Sequence, residues 1–169
     1  MHWEPENKIL KISYYIINKT NLLKSAIKIP LETGYALGDA EQPQYRQFFA
    51  NVKIGTPEHE FKVALDLTST DLWVPSKTCS SSLSTGFGCF NHEKYDNRWS
   101  RTYEPDGSNF TNRYPVMPRI KRSGTVSGFA SIDKINFEGN SVTKKFAEVT
   151  DFQGVGFLQW VTIICIDDD

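Results

Sequence analysis

Apolar and polar positions alternate in short runs through the middle of this chain. Phe61, Val63 and Leu65 alternate with Lys62 and Ala64, the period-two pattern of a strand with one buried face. Just upstream, Phe48, Val52 and Ile54 run into Gly55-Thr-Pro57. A permissive glycine followed by a proline of fixed φ predicts a turn there. The two runs together predict a β-hairpin that carries Asp66 at the end of its second strand. Further along, Ser131–Phe137 and Phe146–Thr150 read as strands, and the chain is expected to be all-β. Trp99, Phe110 and Phe129 are most economically placed in the core.

The first 44 residues have a different texture. Ile9 to Ile29 mixes lysines with apolar residues, and Leu10, Ile17 and Leu23 hold no clean helical stripe. Ile27-Lys-Ile-Pro30 reads as a short strand stopped by proline.

Composition narrows the function classes. At 169 residues the chain is long enough for one domain and short for two. A net charge of -1 argues against nucleic acid or an anionic membrane surface as partner. No apolar run approaches the roughly 18–20 residues that span a bilayer, and no small-residue cleavage pattern of a signal peptide follows Ile9–Ile17. His2, His59 and His92 together with Cys79 and Cys89 make no recognised metal spacing, so no metal or other cofactor is expected. Cys79 and Cys89 flank a Ser/Gly-rich loop; they either bridge, leaving Cys165 odd, or stay as free thiols. Asn18-Lys-Thr20 and Asn109-Phe-Thr111 fit the acceptor pattern for N-glycosylation, which has meaning only in a secreted chain.

The most specific signal is Asp66-Leu-Thr-Ser-Thr-Asp-Leu-Trp-Val-Pro75. It resembles the first active-site loop of pepsin-like aspartic proteases, whose usual form is Asp-Thr-Gly-Ser-Ser-Asn-Leu-Trp-Val-Pro. Three further stretches match in order: the Ile54-Gly-Thr-Pro57 turn, Lys94-Tyr-Asp-Asn-Arg-Trp-Ser-Arg-Thr-Tyr103, and Ser123-Gly-Thr-Val-Ser-Gly-Phe129. The last of these resembles the outgoing strand of the family's flap hairpin. The resemblance covers about residues 45–160 and implies the N-terminal lobe of a bilobal pepsin-like β-barrel fold. Residues 1–44 are then a leader, a candidate propeptide remnant whose Lys24 and Lys28 would cover the cleft, and 161–169 an atypical tail.

The resemblance implies roles residue by residue. Asp66 is the catalytic carboxylate, with Ser69 in hydrogen-bonding reach and Trp73 supporting the loop. Tyr114 is the nearest candidate for the flap tyrosine that hydrogen-bonds this tryptophan. Two departures stand out. Leu67 replaces the threonine that grips its counterpart in the other lobe, and Thr68 replaces a glycine. Pro115-Val-Met-Pro-Arg-Ile-Lys-Arg122 stands where a glycine-rich flap tip is usual, and its prolines remove backbone donors.

Aspartic proteolysis takes two carboxylates about 3 Å apart sharing one proton, so that one activates water while the other protonates the carbonyl. This sequence holds one such loop. The expectation is therefore an aspartic endopeptidase family member, truncated and inactive alone, from a secreted or lysosomal setting. Its partners would be peptide or protein substrates, and either a missing second lobe or a second copy in a homodimer. A different class of function, a peptide-binding module without catalysis, is the competing expectation.

Overall fold

The computed structural model describes residues 2–4, 9–18, 21–36, 45–65, 71–80, 89, 92–114, 124–153 and 163–164. Among them no α-helix occurs. Eleven strands run in chain order: β1 (His2–Glu4), β2 (Ile9–Asn18), β3 (Asn21–Pro30), β4 (Glu32–Ala36), β5 (Tyr45–Ile54), β6 (His59–Leu65), β7 (Trp73–Pro75), β8 (Glu104–Tyr114), β9 (Gly124–Phe137), β10 (Asn140–Gln153) and β11 (Ile163–Ile164). A 3-10 turn, Asn97–Trp99, precedes β8.

Two sheets result. The smaller is β1-β2-β3, in which β2 and β3 form a hairpin paired from Ile9↔Pro30 to Asn18↔Asn21. The larger has eight strands in the order β11-β6-β5-β9-β10-β7, with β4 added to β5 and β8 to β9. Glu32 to Ala36 pair with Phe49 to Tyr45, so the larger sheet takes in residues on both sides of position 44.

The expected β5–β6 hairpin is present, paired from Ile54↔His59 to Phe49↔Ala64. Its turn needs glycine at position 55. Gly55 has φ +89°, and a side chain there would meet Ser100 Oγ at 2.9 Å. Thr56 N–H donates to Ser100 Oγ at 2.9 Å and Arg101 N–H to Thr56 O at 2.8 Å, so the turn is pinned to the segment after the 3-10 turn. Ser131–Phe137 does not begin a new strand. It continues the segment from Gly124 as one 14-residue strand, β9, because nothing between Phe129 and Ser131 turns the chain.

β7 separates two apolar clusters by simple alternation. Leu72 and Val74 enter the first, with Leu31, Val52, Ile54, Phe61, Val63, Tyr95, Ile135 and Phe146. Trp73 enters the second, with Cys79, Cys89, Val126, Ala147, Val149 and Phe152, against which Phe110 and Tyr114 pack. Trp99 is a correction to the core expected from sequence: it is 75% exposed. It stands at the end of the 3-10 turn on the wall of a groove of about 240 Å³ that Pro57, His59, Lys77 and Tyr95 also line. Phe110 and Phe129 are half-buried.

Candidate active site

β6 delivers the chain toward the candidate loop. Phe61 and Val63 are buried and Leu65 packs against the first cluster from the end of the strand. Ala64 is also buried, so the final turn of the strand is covered on both faces. β11 runs parallel beside that end, with Ile163 opposite Ala64 and Ile164 opposite Leu65. Asp66 and Ser69, with Leu67 and Thr68 between them, lie outside the described residues, as does the candidate flap tip 115–122.

The chain re-enters the described structure at Asp71 and is held firmly from there. β7 lies parallel to β10, with Trp73 opposite Ala147 and Pro75 opposite Val149. Ala147 N–H donates to Leu72 O and Ser76 N–H to Val149 O, both at 2.8 Å. On the other side Tyr95 N–H donates to Pro75 O at 2.8 Å and Lys77 N–H to Tyr95 O at 2.7 Å. The exit of the loop is therefore gripped from both edges, which fixes where Trp73 points.

Trp73 is fully buried, and its Nε1–H donates to the Tyr114 hydroxyl at 2.9 Å. Asn112 Nδ2–H donates to the same hydroxyl at 3.2 Å. Tyr114 is the last residue of β8, which pairs with the start of β9 through Tyr114↔Gly124. Two residues singled out from sequence, 41 positions apart, thus meet in one hydrogen bond. The edge of the Phe152 ring contacts the Trp73 indole at 5.7 Å between centroids and closes the other side. Beneath the same cluster Cys79 and Cys89 form a disulfide, with Cα atoms 5.7 Å apart, which resolves the two readings left by the sequence.

Two buried carboxylates back this assembly, and neither stood out in the sequence as a site residue. Glu148, 1% exposed, accepts from Ser131 Oγ at 2.7 Å, Ser76 Oγ at 2.8 Å and Asn97 Nδ2 at 3.3 Å. Burial pushes the Glu148 carboxyl above the usual carboxylate range, against the lowering effect of those three donors. Asp133 accepts from the Tyr95 hydroxyl at 2.5 Å and the Thr102 hydroxyl at 2.6 Å. Burial, and then the Asp133 carboxylate beside it, push the Tyr95 hydroxyl far above its ordinary range. The signal for Glu148 was an acid inside the apolar run Phe146-Ala-Glu-Val149. A charge in such a run is buried only with donors around it.

The sequence pattern of the eukaryotic aspartyl protease family matches residues 47–161. This chain belongs to that family. Vacuolar protease A of Aspergillus fumigatus is 40% identical over 112 residues, which are 66% of this chain and 25% of the relative. The vacuolar aspartic protease of Candida albicans is 40% identical over 113 residues, 66% of this chain and 24% of the relative. Renin of Canis lupus familiaris is 38% identical over 112 residues, again 66% and 25%. The chain spans about a quarter of the length of these aspartic proteases. An all-β fold belonging to the first pepsin-like lobe accords with the match, which begins in β5 and ends past β10. Among the described residues no cluster of His, Cys, Asp and Glu could hold a metal ion, and no helix is long and apolar enough to cross a membrane.

Proposed function

We propose that this chain is first-lobe sequence of an aspartic endopeptidase acting on peptide or protein substrates in a vacuolar, lysosomal or secreted setting. Asp66 supplies one of the two carboxylates, with Ser69 as its candidate supporting hydroxyl. Trp73 and Tyr114 connect the exit of that loop to the flap strand. The observation that carries the reading is the Trp73–Tyr114 hydrogen bond, because it joins the residue following the loop to the strand leading to the flap tip. The vacuolar relatives support a vacuolar compartment by their names.

A second carboxylate has to come from outside these 169 residues. A single carboxylate cannot act as both acid and base in this reaction. Residues 1–169 alone are therefore inactive. A homodimer would bring two aspartates together but would carry Leu67 and Thr68 twice, so a second lobe is the favoured complement.

Acid-pH digestion of a denatured protein tests both statements. The longest natural product containing residues 1–169 should cut, and its Asp66→Asn variant should not; cleavage surviving that substitution overturns the role of Asp66. The 169-residue chain alone should show no cleavage above its Asp66→Asn control at any concentration. An Asp66-dependent rate that climbs faster than concentration would establish the homodimer instead.

A further inference from the structure

The Asn109-Phe-Thr111 tripeptide lies on β8, where it can be judged as a surface rather than as a pattern. β8 alternates strictly along its last six residues: Asn109, Thr111 and Arg113 are exposed, while Phe110, Asn112 and Tyr114 are half-buried. Phe110 and Tyr114 pack on the Trp73 cluster, and Asn112 donates to the Tyr114 hydroxyl. Acceptor and hydroxyl residue therefore share the outward face, and the inward face is fully engaged elsewhere. Among the described residues β8 pairs only with β9. Directly upstream the ladder is interrupted between Pro105 and Asn109, and Gly107 takes φ +74° there.

A second, independent observation supports an oxidising compartment. The Cys79–Cys89 disulfide forms and persists in oxidising lumenal or extracellular surroundings, where N-linked sugars are also added. Exposure, an outward-facing acceptor pair and an oxidised bridge coincide in one chain.

We infer that Asn109 is an N-glycan attachment site. The sugar stands on the outer face of the flap-side strand, away from the side on which Tyr114 meets Trp73. The donor is an oligosaccharide linked to a lipid through pyrophosphate. The Asn109 amide nitrogen forms a bond to the reducing-end carbon, and the bond from that carbon to the pyrophosphate oxygen breaks. The electron pair leaves on the lipid pyrophosphate, and the amide gives up one proton.

The inference shares only its compartment with the proposed protease function and does not depend on whether Asp66 cuts peptides. The test is translation of the full chain, behind a cleavable secretory signal and in an Asn18→Gln background, into microsomes, scoring only the protease-protected fraction. An endoglycosidase-sensitive upward mobility shift is expected, retained in Thr111→Ser and lost in Asn109→Gln and Thr111→Ala. Peptide mapping should place the deglycosylation mark on Asn109. Alkylation without reductant reports the Cys79–Cys89 bridge in the same fraction. Protected chain that is bridged but unmodified at Asn109 overturns the site alone. Protected chain with free thiols and no modification overturns both the site and the lumenal reading.

Discussion

Gly128 is where a single added carbon should do most damage. It lies on β9 opposite Val149, at the point where the β9–β10 register shifts between Val149 and Asp151. Such a bulge disrupts the ladder locally and bends the bulged strand. A Cβ built on Gly128 would sit 1.9 Å from the backbone oxygen of Glu148 and 2.9 Å from both the Glu148 carbonyl carbon and Val149 Cα. Ordinary carbon–oxygen contacts are about 3.3–3.6 Å, so the strands would have to part by about 1.5 Å. That separation takes neighbouring ladder hydrogen bonds from about 2.9 Å to beyond 4 Å. Losing two of them costs about 2 kcal/mol, and overpacking adds about 1–3 kcal/mol. Gly128→Ala should therefore destabilise the chain by about 3–5 kcal/mol. For a chain of this size the melting temperature should fall by roughly 6–20 °C. Thermal denaturation followed by circular dichroism reads this directly, with Ser127→Ala as the neighbouring control. A Gly128→Ala protein melting within about 2 °C of the parent would refute the steric argument.

Three other outcomes follow from the buried groups. The Glu148 carboxyl has a raised pKa in the fold, so the folded chain holds that proton more tightly than the unfolded one. Stability should fall as pH rises from the ordinary 4.5 through the raised value, and Glu148→Gln should flatten that slope in denaturant titrations run from acid to neutral pH. An unchanged slope would show that the three donors offset burial. Replacing Cys79 by serine opens a bridge spanning 10 positions and should cost about 2–3 kcal/mol, measured as a lower urea midpoint. Tyr114→Phe removes the hydroxyl that accepts from Trp73 and Asn112 and should cost about 1 kcal/mol with an unchanged denaturant slope. Full stability in that variant would show that the hydroxyl does not hold the flap strand.

The parts of the fold legible in the sequence are those governed by neighbours along the chain. Phe61 and Val63 alternating with Lys62, ahead of a Gly-Thr-Pro turn, sufficed for the β5–β6 hairpin, because period and turn chemistry are both local. Trp73 and Tyr114 were named from motif resemblance, and their contact could be expected only through it, since 41 residues separate them. What stayed hidden depends on partners distant in sequence. Glu148 draws its donors from Ser76, Asn97 and Ser131, three separate segments, so nothing adjacent to it marks a buried acid network. The reason for a glycine at position 128 appears only when β10 is laid against β9. Trp99 misleads in the opposite sense: its size argues for the core, yet a short 3-10 turn presents it to solvent.

The parallel pairing of β11 with the end of β6 imposes an order on synthesis. As the nascent chain emerges, the strand leading to Asp66 can fold back on β5 early, since only a tight turn intervenes. Among the described residues, its other flank is paired only by Ile163 and Ile164, which leave the ribosome much later. Through that interval the end of β6 is an uncapped β edge, the condition under which stalled chains capture one another.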